Sequence, residues 1–165
     1  MIQIVKATED GQLKEISNLA VTIWQQHYTP IIGAGQVTYM LQKFQSVPAI
    51  QKQIKAGAEY YLLTSEGNAA GYFCITLEEG ALFLSKLYVL STYRGKGLGK
   101  RAMHFIMDRA VVWQCQSIRL TVNKNNTGAI RAYQKMGFKN MGSVVQDIGN
   151  GYVMDDYLLE NELSA

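Results

Sequence analysis

The pattern of apolar and polar positions divides the chain into short strands and helices arranged about one central stretch. From Leu82 to Leu90 the run LFLSKLYVL has strand length and carries β-branched and aromatic residues. A polar turn and three glycines, Gly95, Gly97 and Gly99, follow it, and apolar residues then recur at helical spacing through Leu98, Ala102, Phe105, Ile106, Arg109 and Ala110. Upstream, Ile2 to Lys6 alternates as a strand. Thr8 can cap a helix from about Glu9 to Gln26, with Glu9 and Asp10 in its first turn and a stripe of Leu13, Ile16, Leu19, Ala20, Ile23 and Trp24. That helix runs out at His27-Tyr28-Thr29-Pro30, because proline restricts the residue before it and donates no hydrogen bond.

A loop with Gly33 and Gly35 should follow, then a helix through Val37, Met40, Leu41 and Phe44, and another from Pro48 to about Ala56. Strands from Tyr60 to Thr64 and from Ala69 to Leu77 flank a turn at Ser65-Glu66-Gly67-Asn68, and Glu78-Glu79-Gly80 turns the chain into the central strand, making consecutive antiparallel strands. Ser117 to Val122 should lie parallel to that strand, since a helix joins the two. A helix from Gly128 to Met136 stops at Gly137, and strands from Lys139 to Ile148 and from Tyr152 to Glu160 form a hairpin about Gly149-Asn150-Gly151. The pattern is that of an α/β chain with a mixed sheet and helices on both faces.

The length of 165 residues suits one domain, and 48% hydrophobic with 18% charged residues is a globular composition. No apolar run approaches the roughly 18 residues of a membrane span, and Met1 to Val5 is too short for the apolar core of a signal peptide. Cys74 and Cys115 lie in apolar segments without CxxC spacing, so they read as buried thiols in a reducing cytoplasm. The sequence leaves a homodimer open.

Charge changes the picture more than composition does. The net value of +3 conceals eleven Lys and Arg against the single Asp108 from Ala81 to Gln146, with five against twelve elsewhere. The middle of the chain therefore attracts anions, while the acidic remainder suits a cationic partner. Aromatic and basic residues do not interleave on one surface as they do in nucleic-acid binders, so a nucleic-acid partner is not expected.

The basic charges gather at the glycines: Arg94, Lys96, Lys100 and Arg101 surround them, and no acid occurs from Ala81 to Met107. A strand, a glycine loop and a helix in succession can turn backbone N–H groups and the positive end of a helix dipole toward one anion, usually a phosphate. A P-loop is excluded, because neither Gly95-Lys96 nor Gly99-Lys100 precedes a Ser or Thr. A dinucleotide fingerprint survives only in its loose form through Gly97, Gly99 and Ala102. It lacks the acid expected about 20 residues further on, since the next acid after Asp108 is Asp147.

The segment Arg94-Gly95-Lys96-Gly97-Leu98-Gly99 resembles the Q/R-x-x-G-x-G-A/G loop of the GNAT superfamily of N-acetyltransferases. Val122 to Phe138, VNKNNTGAIRAYQKMGF, resembles that family's second signature, an N…A…Y…GF pattern. The resemblance implies a GNAT fold, with a mostly antiparallel sheet and one splayed parallel pair. It implies transfer of an acetyl group from acetyl-CoA to a primary amine by direct attack, without a metal. By the same resemblance Arg94, Gly95, Lys96, Gly97, Leu98, Gly99 and Lys100 would hold the pyrophosphate. Leu87, Tyr88 and Val89 would offer backbone groups to the pantetheine and the acetyl carbonyl. Asn126 would contact the pantetheine chain, and Tyr133 would lie near the sulfur and protonate the departing thiolate.

The acceptor side would include Trp24, His27 and Tyr28. The glutamate that several members use as base is replaced by Thr121, and the alternative acid on the central strand by Ser85 and Lys86, leaving Glu78 and Glu79 as carboxylates to test. By resemblance to the closing hairpin of bacterial diamine and polyamine acetyltransferases, one of the adjacent Asp155 and Asp156 would meet a cationic acceptor. Asp155 and Asp156 should face opposite ways on a strand. His104 looks structural. The closing segment GNGYVMDDYL resembles that of bacterial diamine and polyamine acetyltransferases, so a small amine or polyamine is the first acceptor expected, and a protein N-terminus or lysine the second. A non-catalytic acyl-CoA-binding module is the alternative.

Overall fold

The structure, a computed structural model, describes residues 1–163. Seven strands follow the order β1-β2-β3-β4-β5-β7-β6, and the chain divides into two compact units, residues 1–76 with 86–106, and 77–85 with residues from 107 onward.

The first unit contains β1 (Ile2–Lys6), α1 (Asp10–His27), α2 (Thr29–Ile32), α3 (Ala34–Phe44), α4 (Val47–Lys55), β2 (Glu59–Ser65) and nearly all of β3 (Asn68–Glu78). It also takes the second half of β4 (Ala81–Val89) and the start of α5 (Leu98–Val112). The antiparallel pairings of β1 with β2 and of β2 with β3 carry a bulge where Leu63 faces Gly71 and Thr64 faces Ala69. Glu66 and Gly67, both at positive φ, make the two-residue turn between β2 and β3. The core includes Ile16, Ile50, Tyr60, Leu63, Tyr72, Phe73 and Ile75, all fully buried.

Local chemistry moves two boundaries from their expected places. The cap of α1 is Glu9, not Thr8: Gln12 Oε1 accepts the backbone N–H of Thr8 (2.8 Å) and of Glu9 (3.0 Å), which delays the helix by one residue. Pro30 does not open a loop. It sits in the first turn of α2, where its missing N–H removes no helical bond, and Gly33 at φ 89° separates α2 from α3, which already contains Gly35. Proline has the same place in α4, whose cap Ser46 accepts the N–H of Ala49 at 3.3 Å.

The second unit holds the start of β4 beside β5 (Ser117–Asn123), the end of α5, α6 (Thr127–Lys135), β6 (Lys139–Gly149) and β7 (Tyr152–Glu162). β4 and β5 are parallel, and their register covers Ala81–Phe83 against Ser117–Arg119. β7 pairs antiparallel with both β5 and β6, so the final hairpin folds back to place its second strand inside and β6 at the edge. Asn150 and Gly151, at φ 54° and 79°, form its turn, the Asn-Gly geometry that matches strand twist. Met141 and Ile148 are the bulged residues of β6. Among the described residues no helix is long and apolar enough to cross a membrane.

The second sequence signature has a structural explanation in this unit. Asn126 is the N-cap of α6, its Oδ1 accepting the N–H of Ala129 at 3.4 Å. At the other end Phe138 N–H donates to Tyr133 C=O (3.1 Å) and Gly137 N–H to Gln134 C=O (3.1 Å), the paired bonds of a Schellman cap. Gly137 supplies the required positive φ of 104°, and the rings of Tyr133 and Phe138 meet edge-on at 5.6 Å, closing the cap with an apolar contact. The spacing of Asn126, Tyr133, Gly137 and Phe138 thus fixes both ends of one short helix. Gly137→Ala should lower stability by about 1–2 kcal/mol, seen as a lower urea midpoint at unchanged slope.

Candidate functional site

The glycine loop is built from β4 outward. Leu90 N–H donates to Ala70 C=O (2.8 Å), Tyr93 N–H to Leu90 C=O (2.9 Å) and Arg94 N–H to Ser91 C=O (3.3 Å), so one tight turn over Ser91–Tyr93 leads into the glycines. Gly95 and Gly97 have φ of 78° and 84°, a region closed to most side chains. α5 starts at Leu98, which is 1% exposed and anchors its first turn in the core, while residues 94–97 are exposed. The bond from Arg101 N–H to Gly97 C=O (3.0 Å) leaves the N–H groups of Leu98, Gly99 and Lys100 ahead of the helical ladder.

Val89, Tyr93, Arg94, Gly95, Gly97, Leu98, Gly99 and Lys100 line a cavity of about 280 Å³ here. A Cβ built at Gly95, Gly97 or Gly99 meets no protein atom within 4 Å, so the space above the loop is open. Unpaired N–H groups, a helix N-terminus and the cations Arg94 and Lys100 converge on it, an arrangement suited to a phosphate-bearing ligand. Lys96 Nζ lies 5.5 Å from the ring centre of Tyr93.

The same unit gathers the aromatic candidates. Tyr88 stands 5.6 Å from Trp24, 6.0 Å from Tyr28 and 5.5 Å from Tyr72, and Trp24 and Tyr28 meet at 4.5 Å. His27 packs edge-on to Tyr28 at 4.8 Å. Trp24 is 4% exposed and belongs to the core, whereas His27 and Tyr28 are half-buried. Tyr72 was not among the expected residues. It is fully buried and donates to Gln45 Oε1 at 2.9 Å, so its phenol is pushed well up by burial, opposed by the nearby Trp24. Trp24 Nε1, although close enough for that effect, has no hydrogen bond of good geometry.

Gly71 is a second residue that sequence reasoning missed. A Cβ there would lie 2.4 Å from the Tyr88 carbonyl oxygen, so only glycine lets β3 approach the backbone of Tyr88 and Val89. Lys86 is a third surprise. Its Nζ donates to Gln53 Oε1 (2.8 Å), to the Tyr60 hydroxyl and, at 3.4 Å, to Phe44 C=O, with no carboxylate in the group. Burial lowers its pKa to about 8, with Cys74 pushing the other way.

In the second unit, Asn126 is 7% exposed at the start of α6 and Tyr133 is half-buried at its end. The two adjacent acids of β7 divide as strand alternation requires. Asp155 is exposed and pairs with Lys124 at 2.7 Å, which raises the lysine's pKa. Asp156 is 4% exposed, and its carboxyl is pushed up to about 6, chiefly by burial and then by Asp155, with Lys124 acting in the opposite direction. Glu78 and Glu79 are exposed beside the turn into β4 and join neither group, and His104 is exposed on α5. Among the described residues no cluster of three or more His, Cys, Asp or Glu could hold a metal ion.

Residues 19–138 match the acetyltransferase (GNAT) family, and the chain belongs to that family. It is 34% identical over 99 residues to an uncharacterised N-acetyltransferase of Mycobacterium tuberculosis, covering 59% of this chain and 63% of the relative. It is 34% identical over 68 residues to a spermine/spermidine N(1)-acetyltransferase of Bacillus subtilis, covering 41% and 45%. These matches thus span less than two thirds of either relative. The fold is similar to that of the PaiA N-acetyltransferase from Thermoplasma acidophilum, solved with coenzyme A, at TM-score 0.81, 18% identity and 99% coverage of both chains.

The burial of Asp156 carries a signed consequence for stability. With its carboxyl pKa raised on folding, the folded chain holds more protons than the unfolded one between about pH 4, the ordinary aspartate value, and about pH 6. This group's contribution to stability therefore declines as pH rises through that window. Asp156→Asn should raise the melting temperature at pH 7 and give no such gain at pH 4, in parallel thermal melts at the two pH values.

Proposed function

We propose that the chain is an acetyl-CoA-dependent N-acetyltransferase that acts on a primary amine, with a small amine or polyamine favoured and a protein N-terminus or lysine second. The single observation that carries this reading is the open, cationic glycine cradle at the start of α5, where a Cβ at Gly97 or Gly99 would meet only empty space. Family membership supports it, and the relative that acts on spermine and spermidine favours the polyamine class.

Acetyl-CoA supplies an activated acyl group as a thioester. The chain's own residues do the rest. The N–H groups of Gly97, Leu98, Gly99 and Lys100, with Arg94, Gly95 and Lys96, hold the pyrophosphate by hydrogen bonds and charge. The backbone of Leu87, Tyr88 and Val89 orients the pantetheine arm, and an N–H there polarises the thioester carbonyl as attack begins. Asn126 contacts the pantetheine chain. The acceptor nitrogen, as the neutral amine, forms a bond to the carbonyl carbon, the carbon–sulfur bond breaks, Tyr133 gives its phenolic proton to the sulfur, and the proton that the nitrogen sheds returns to the phenolate through water. A phenol with an ordinary pKa near 10 is protonated at neutral pH and close to the pKa of a thiol, which suits that transfer. Trp24, His27 and Tyr28 wall the acceptor side.

Gly99 gives the clean test of the cradle, since its backbone needs no positive φ and a side chain there meets no protein atom. Gly99→Val should weaken coenzyme A binding on the order of tenfold or more in calorimetry without lowering the melting temperature; unchanged affinity would refute the cradle. Tyr133→Phe should reduce turnover on the order of a hundredfold at nearly unchanged coenzyme A affinity, in a thiol-release assay with acetyl-CoA and a panel of amines. Binding without turnover on any amine would make the chain a non-catalytic acyl-CoA module.

A further inference from the structure

A buried ammonium normally has an anion beside it, because taking the charge out of water without one is costly. Lys86, in the first unit, has none. Its Nζ donates to Gln53 Oε1 at 2.8 Å and to the Tyr60 hydroxyl, lies 3.4 Å from Phe44 C=O and stands 4.9 Å from the centre of the Tyr60 ring. The ionisable groups that face it are the phenol of Tyr60 on β2 and the thiol of Cys74 on β3, directly opposite each other in the sheet. Glu59, next to Tyr60, pairs instead with Lys6 at 3.6 Å. On the helices that supply Phe44 and Gln53, the charged residues Lys43, Lys52 and Lys55 are exposed and of the same sign. Among the described residues, then, no carboxylate pairs with Lys86.

The fold does not need this charge. Gln53 Nε2 already donates to Phe44 C=O at 2.9 Å, and the Tyr60 hydroxyl already donates to Gln53 Oε1 at 2.5 Å. Taking the ammonium away would leave none of these buried polar groups without a partner. A charge that costs stability and satisfies nothing essential calls for an explanation in function.

Its place on β4 supplies one. Lys86 immediately precedes Leu87, Tyr88 and Val89, and its side chain leaves the strand on the same face as that of Tyr88. Tyr88 packs with Trp24, Tyr28 and Tyr72. The two groups adjoin at the end of α3, where the carbonyl of Phe44 lies near Lys86 and the side chain of the next residue, Gln45, accepts the Tyr72 hydroxyl at 2.9 Å. All of these residues belong to one compact unit. Adjacent Cα atoms are about 3.8 Å apart, so the ammonium lies on the order of 10 Å or less from the backbone N–H groups of Leu87 and Tyr88.

We infer that Lys86 assists the acyl transfer through its field: the buried ammonium favours the negative charge that develops on the thioester oxygen at the next residues of β4, and disfavours the protonated form of the acceptor amine. The inference rests on the acetyltransferase reading above. An acceptor ammonium that enters beside a fixed positive charge, with no carboxylate to hold it, gives one proton to water and attacks as the neutral amine. Lys86 forms no covalent bond and keeps its own proton throughout. At about 10 Å and an effective dielectric constant of about 20, such a charge is worth on the order of tenfold in rate. A proton acceptor in contact with the amine would be worth about 10²–10⁴-fold.

The test compares the wild type with Lys86→Arg, which keeps the charge at every working pH, and with Lys86→Met, which removes it. The assay is thiol release from acetyl-CoA with spermidine, a lysine peptide and an alanine peptide as acceptors. At pH 7 Lys86→Met should lose on the order of tenfold in kcat/KM while its melting temperature holds or rises and its coenzyme A affinity is unchanged. A merely structural lysine would lose stability along with activity. Lys86→Arg should keep most of the rate. Burial lowers the Lys86 pKa to about 8, so the wild type loses this charge as pH rises through that value and the arginine variant does not. The ratio of wild-type to Lys86→Arg kcat/KM, in which the acceptor's own ionisation cancels, should therefore fall through about pH 8. An unchanged rate in folded Lys86→Met, or a ratio that stays flat or rises through pH 8, overturns the inference and leaves the acetyltransferase reading intact; should Lys86→Met fail to fold, the ratio alone decides. A wild type that releases no thiol with any acceptor overturns the reading itself, and the role of Lys86 with it.

Discussion

Burial of the Leu98 side chain in the first turn of α5 ties an otherwise exposed run of glycines to the core of its unit, and the loop's shape follows from that contact. Gly95 and Gly97 take backbone angles that would leave a free loop with many alternatives. Pinned at Leu98 on one side and by the Leu90–Ala70 hydrogen bond on the other, the segment between them has little freedom left. A binding surface made of backbone N–H groups needs such fixed ends, because the entropy of ordering it would otherwise be charged against every binding event.

Much of this architecture could be read from the residues, and the failures have identifiable causes. The central strand, the glycine loop and the helix after it were legible because apolar period and glycine spacing agree there. The Asn-Gly turn of the last hairpin was legible for the same reason. Thr8 misled because the competing acceptor, the side chain of Gln12, acts from three residues beyond the true cap. Pro30 misled because proline ends one helix and begins another equally well. The order β5-β7-β6 carries no local signal at all, being set by which strand of a hairpin reaches its neighbour first.

The site was legible in its backbone parts and less so in its side chains. Glycines announce where a ligand or another strand approaches, although Gly71 escaped notice because its meaning lies in the carbonyl of Tyr88, a contact far along the chain. The burial of Lys86 and of Asp156 escaped for a different reason. A charge buried without an opposite charge has no signature in sequence, since it depends on what fails to stand beside it. The two are nevertheless alike: in each, burial moves the pKa toward the neutral form. Lys86 is surrounded by neutral oxygens, whereas Asp156 has the charges of Asp155 and Lys124 acting on it in opposite directions.

The bulges at Met141 and Ile148 interrupt β6 near both of its ends, and β6 is the strand left at the margin of the sheet. A regular open edge with Met141, Val145 and Val153 exposed around it would offer a template for strand addition from another chain. Here an incoming strand could zip only along the short run between the two interruptions before its donors and acceptors fell out of step. The irregularity that looks like poor pairing within the hairpin thereby limits self-association at high protein concentration.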